Sequence, residues 1–343
     1  MSRRTVTLLV AGIGVVAAAL VAALVPVPYV ILSPGPTLNT LGQTSGGPLI
    51  SIAGHRTYPT SGHLNLVTVS FLGGPGDGFN VFTAIRAWLT PHTAVVPEQE
   101  LFPSGQSEQQ VVRQDTAQMA SSQQTARAAA LCTLGIGFTT VDTVTQTEKG
   151  LPAAGVLQAG DTITAVDGTP LSCTQDTGSL VRAHPPGSVV TLTVHRQGTI
   201  RHLRLKTASF QGHSVIGVLV QESYRFPFPI KIKVGDIGGP SAGMMFALGI
   251  VDKLTPGNLT GGRFVAGTGE ISASGAVSAI GGIQQKMAGA RAAGATVFLT
   301  PAANCADAAG AVPAGLRLIK VATLRQAIND LAGLKAGRSV PGC

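Results

Sequence analysis

A chain of 343 residues, 44% hydrophobic and only 12% charged, has apolar material for two ordinary cores, which excludes a solvated or disordered protein. Its net charge of +8 invites comparison with nucleic-acid binders, but aromatics make up only 4% and the basic residues stand singly, as at Arg86, Arg113, Arg127, Arg182 and Arg196. That scatter argues against a nucleic-acid partner and suits a surface facing anionic lipid or wall polymer equally well.

Residues 5–25, TVTLLVAGIGVVAAALVAALV, carry no charge and as a helix would reach about 31 Å, one bilayer crossing. Arg3 and Arg4 precede the stretch, and no Lys or Arg follows until Arg56. The positive-inside rule therefore predicts a cytoplasmic segment at 1–4, a single transmembrane helix at 5–25, and the remainder outside the cell membrane. A cleaved signal peptide is the alternative; the long apolar core and the poor cleavage site in VAALVPVPY favour a retained anchor.

An outside location makes two disulfides the expectation for Cys132, Cys173, Cys305 and Cys343, whose spacing is not that of a zinc site; no metal is expected. Of three pairings, Cys132 with Cys173 and Cys305 with Cys343 keep each bridge local, the second tying down a tail at 336–343. Residues 26–61, rich in Pro, Gly, Ser and Thr, read as a linker or an extended lead-in over the membrane surface. GHLNLVTVSF (62–71) alternates as a strand does. The GGPGDG loop (73–78) is not followed by Gly-Lys-Ser/Thr, nor is any other glycine cluster, so neither nucleotide nor other cofactor is expected. Residues 108–131 contain no Pro or Gly and read as one or two polar-faced helices.

Residues 133–171 alternate short β runs with glycine turns, and 185–207 add two strands joined at RQG. This block, 131–208, resembles a PDZ domain. The resemblance rests on LGIGF (Leu134, Gly135, Ile136, Gly137, Phe138), AAGVLQAGDTITAVDGTPL and the closing hairpin. It implies that Leu134–Phe138 form a carboxylate-binding loop, whose successive N–H groups hold a peptide end while the next strand pairs with the peptide. Two readings of the groove stay open: peptide capture, or packing on a neighbour.

In GDIGGPSAGMMFALG (235–249) two glycines and a proline lead to Ser241 and then to helix formers. Ser241 would stand at the first turn of a helix, beside free N–H groups suited to an oxyanion, with Gly239, Pro240 and Ala242 forming the surrounding loop. An N-cap role is the bland alternative. A serine nucleophile needs a base. All seven histidines precede Ser241 and none sits in a loop paired with Asp, which disfavours a Ser-His-Asp triad. In IGGIQQKMAGARAAGA (280–295), Ile283, Lys286, Met287 and Ala290 share one helical face, so Lys286 is expected to point inward and lose proton affinity unless it snorkels to water.

Together, GGPSAG, the run 267–305 and LRLIKVATLRQAIND resemble the Lon proteolytic domain, clearly over about 229–331. That resemblance implies a Ser-Lys dyad: Ser241 matches the nucleophile, Lys286 the base, and Thr268 of TGEI the threonine that helps hold the lysine. The family often has an acidic residue three before the serine; here Gly238 stands there, with Asp236 two residues earlier. The expected fold class is α+β: a Lon-type proteolytic domain (62–130 and 209–335) with an inserted β-rich PDZ domain. Such membrane-anchored PDZ-Lon proteins are found in bacteria and imply a serine endopeptidase, with ring-shaped homo-oligomers as a family implication; without a nucleotide site it is expected to be ATP-independent and to act on unfolded, extended or flexible protein or peptide substrates. The rival is a PDZ-based envelope adaptor with an inactive protease domain, against which the joint presence of Ser241, Lys286 and Thr268 argues.

Overall fold

The computed structural model describes residues 2–102, 105–235 and 237–343. It opens with helix α1 (Arg3–Leu24), capped by the Ser2 side chain, with no residue buried against the rest of the chain. Its length and hydropathy suffice to cross a membrane.

Residues 26–61 are not a linker. Strand β1 (Tyr29–Asn39) lies second from one edge of a six-stranded sheet, flanked on both sides, and Ile50–Ile52 pair with Ile230–Ile232 far along the chain. Val30, Ile31, Leu49 and Ile50 are buried, and that burial outweighs the local turn chemistry of the Pro and Gly residues around them. Strand β2 (His63–Leu72) follows, then helix α2 (Val81–Trp88) and strand β3 (Ala94–Pro97). Helix α3 (Glu108–Thr133) is a single helix, started by a capping box between Ser107 and Gln110. Its Met119, Ser122, Ala126 and Ala130 form the stripe that enters the larger core.

Five antiparallel strands build the smaller sheet: β4 (Thr139–Thr147), β5 (Thr162–Val166), β6 (Val189–Arg196), β7 (Thr199–Lys206) and β8 (Val218–Arg225), in the order β7-β6-β5-β4-β8. Thr169–Pro170 pair with β5 as a sixth member, and helix α4 (Thr177–Arg182) flanks the sheet. Its core is separate, built on Val144, Ile163, Val190, Leu192 and Val194. The block expected at 131–208 supplies β4 to β7, and a later strand completes the sheet. β8 pairs with β4 from Val218↔Thr147 to Arg225↔Thr139, so this unit runs on to Arg225.

The chain then returns to the first sheet through helix α5 (Gly243–Leu254), strand β9 (Phe264–Gly267), helix α6 (Ile283–Ala292), strands β10 (Val297–Pro301) and β11 (Arg317–Val321), and helix α7 (Leu324–Lys335). The strand order is β11-β10-β9-β2-β1-β3, parallel from β11 through β2 and antiparallel around β1. Both faces are covered. Leu64, Leu66, Val265 and Leu299 point to the core shared with α3 and α5, while Val67, Ala266 and Phe298 meet Ile283 and Met287 of α6. Four consecutive buried residues, Leu64 to Val67, show why alternation alone could not describe this central strand.

Disulfides join Cys132 to Cys173 and Cys305 to Cys343. Cys132 ends α3, a helix of the larger core, and Cys173 follows the Thr169–Pro170 strand, so the bridge staples the two units together.

Candidate active site

The parallel strand β9 ends at Gly267, and the loop beyond its carboxyl end meets the approach to α5. Ser241 does not occupy the first helical turn: α5 starts at Gly243, with Ala242 in the N-cap place and no side-chain cap. The Ser241 hydroxyl is therefore free of the capping role and instead accepts a hydrogen bond from Lys286 Nζ at 2.9 Å.

Lys286 is held by α6, whose entry at Gly282 has φ 67°, a left-handed conformation that a side chain would strain. A Cβ there would also press on Val69. The lysine is only 4% exposed. Burial disfavours its ammonium form and lowers its pKa from the ordinary 10.5 to about 8. Among the described residues no carboxylate forms an ion pair with it. Lys253, the other lysine of this region, lies in the last turn of α5, remote from the serine.

Thr268, expected to help hold the lysine, makes its hydrogen bond to the backbone of Ser241. Its Oγ1 donates to the backbone carbonyl of Ser241 at 3.0 Å, and the Gly269 N–H donates to the same oxygen at 2.8 Å. The threonine thus fixes the serine's backbone. Gly239, which has φ 84°, donates its N–H to the Asp115 carbonyl, and Pro240 has none to donate. Of the loop named from sequence, only Ala242 retains a free N–H; with that of Ser241 it donates to no protein group among the described residues. Asp236 lies outside the described residues.

Two contacts were invisible to motif reading. Ser122 Oγ donates to the Pro240 carbonyl at 2.9 Å, and Asp115, one helical stretch earlier, supplies the acceptor for Gly239. Both belong to α3. The spacing of Ser122 three residues after Met119, on the buried stripe, was the one available signal.

The glycine loop Leu134–Phe138, expected to hold a peptide carboxylate, follows directly on α3. It closes the C-terminus of α3: the Gly135 N–H returns to Cys132, the Ile136 N–H to Leu131, and Gly135 has φ 70°. Leu134, Ile136 and Phe138 pack on the larger core, and Gly137 is carried between them. A groove of the small unit lies between α4 and the start of β8. It encloses about 250 Å³ lined by Thr177, Val181, Arg182, Ser214, Ile216 and Val218, among others. Gly217, at φ 73°, turns the chain into β8, and the N–H groups of Ile216 and Gly217 have no partner among the described residues. Among the described residues, no strand pairs with the outer edge of β8 there.

Comparison with known proteins agrees with this two-part plan. The PDZ domain family matches residues 132–207, and the Lon protease (S16) C-terminal proteolytic domain matches residues 231–332. Lon protease 2 of Herpetosiphon aurantiacus is 45% identical over 69 residues, which is 20% of this chain and 8% of that protein, so the match spans a small part of the relative's length. Solved structures similar to the small unit include the PDZ domain of the SdrC-like protein of Listeria monocytogenes (25% identity, 23% of this chain and 85% of that one, TM-score 0.22). That of the Listeria innocua SdrC-like protein is 28% identical over 23% of this chain and 91% of that one, also at TM-score 0.22. The chain thus carries a PDZ domain at 132–207 and a Lon-type C-terminal proteolytic domain at 231–332, behind one apolar N-terminal helix.

Proposed function

We propose that this protein is an ATP-independent serine endopeptidase in which Ser241 is the nucleophile and Lys286 the general base. The observation that carries the reading is the 2.9 Å hydrogen bond between a serine hydroxyl and a buried lysine whose pKa is lowered to about 8. A neutral amine at that distance takes the Ser241 proton as Oγ attacks the substrate carbonyl, then returns it to the leaving amine. The N–H groups of Ser241 and Ala242, at the positive end of α5, receive the oxyanion. Thr268 and Gly269 hold the serine carbonyl and so the direction of its N–H.

With no motif for a nucleotide, the substrates are chains already unfolded or flexible. The groove between α4 and β8 docks them: the free edge of β8 adds a peptide strand, the N–H groups of Ile216 and Gly217 hold its carboxylate, and Arg182 adds charge complementarity. α1 anchors the protein, with both folded units outside the cell membrane, as the Arg3-Arg4 asymmetry directs.

A fluorophosphonate probe tests the reading. It should label the wild-type protein at Ser241 and leave Ser241→Ala unlabelled; absence of wild-type labelling across pH 7 to 9 would refute the dyad.

A further inference from the structure

The surface beside α1 is built the wrong way round for water. Helix α2 turns its small residues Ala84 and Ala87 toward Ile31, Phe79 and Val95, whereas its large ones face outward. Phe82, Ile85, Trp88 and Leu89 recur at intervals of three and four along one side, and Trp88 and Leu89 are 76% and 72% exposed. An amphipathic helix packed on a soluble body shows the opposite arrangement. Phe71 and Leu72, at the end of β2, are exposed as well, and they pair with Leu32 and Ile31 at the start of β1.

The position of this patch relative to the span identifies what covers it. Asn80 caps α2 by accepting from the Thr83 N–H, and its Nδ2 donates to the carbonyl of Ala23 in the last turn of α1. Pro26 and Val27, directly after the span, pair with Asn80 and Phe79. The patch therefore begins one hydrogen bond from the end of the membrane helix. Resting on the reading that α1 crosses the bilayer, we propose that the outer face of α2 and the tip of β2 insert into the lipid interface around that helix. Trp88 supplies the amphipathic ring favoured at headgroup depth, the aliphatic and phenyl side chains reach the acyl boundary, and the exposed Arg86 meets lipid phosphate. Two contacts, one spanning and one interfacial, then fix the orientation of the proteolytic unit over the membrane, where a single span would leave it free to swing.

Trp88 is the only tryptophan in the chain, so intrinsic fluorescence reports this site alone. The full chain is reconstituted into phosphatidylcholine–phosphatidylglycerol vesicles, floated on a density gradient, and compared in vesicles whose acyl chains are brominated near the headgroup. The expected result is blue-shifted Trp88 emission that loses most of its intensity in the brominated vesicles. The Phe82→Ser, Ile85→Ser double variant should lose that quenching while fluorophosphonate labelling of Ser241 stays at the wild-type level. Floating protein with water-like, unquenched emission would overturn the proposal. Blue-shifted but unquenched emission would overturn it in favour of a second protein copy on the patch. Protein that fails to float would overturn the anchor reading itself, and the interfacial contact with it.

Discussion

Two glycine-led stretches, Gly135-Ile136-Gly137 and Gly238-Gly239-Pro240, are alike in sequence and opposite in outcome. Around Gly135 the N–H groups fold back onto α3 and complete its last turn. Before Ser241 the glycine N–H is drawn away to Asp115, which leaves the next two N–H groups unpaired and directs the hydroxyl at a lysine 45 residues later. A glycine loop marks a site when its donors remain unsatisfied, whereas the N–H groups of Gly135 and Ile136 close the end of α3. The third glycine turn, at Gly217, belongs with the second kind.

The most severe way to break the comparison is at Lys286. Lys286→Arg keeps the positive charge but cannot supply a neutral base, so turnover of an unfolded substrate should fall by about 10² to 10⁴ or more. Retention of most activity would reduce the lysine to an electrostatic role. Lys253→Ala should leave the rate unchanged in the same assay. The wild-type rate should rise with pH and level off above about 8, where Lys286 is neutral; a profile flat from pH 6 to 9 would contradict the assignment.

The same lysine burdens the fold. Its folded pKa lies below the ordinary 10.5, so the unfolded chain binds more protons between about pH 8 and 10.5, and stability should climb with pH across that window. Lys286→Met should therefore be inactive yet more stable at pH 7, by about 2 to 3 kcal/mol, with the gain fading toward pH 10.5. Denaturant melts at the two pH values measure this directly.

At the third glycine, Gly217→Ala places a Cβ against Leu151 in a left-handed backbone. Affinity for a C-terminal peptide should drop about tenfold or more, read by fluorescence anisotropy, whereas Gly137→Ala should leave it unchanged. Equal losses in both would restore Leu134–Phe138 as the docking loop. The smallest effect is expected at the first glycine: Gly135→Ala forces a left-handed alanine at the end of α3 and should cost about 1 kcal/mol of stability without altering Ser241 labelling.

What the sequence determined by itself was whatever depends on local chemistry or period. The uncharged span of α1, the repeat at three and four residues that turns Lys286 inward, and the glycine-proline approach that brings Ser241 close to a helix start were all legible because each is encoded within one or two turns of chain, although the helix begins two residues later than expected. What only the tertiary structure decided is which backbone groups stay unpaired and which distant segments share a sheet. Tyr29–Asn39 reads as linker until β2 and β3 flank it. Val218–Arg225 reads as the next domain until it pairs with β4, and Thr268 reaches the serine carbonyl because β9 ends there. Hydrogen bonding across a sheet has no period along the chain, and burial by a remote partner outweighs local propensity.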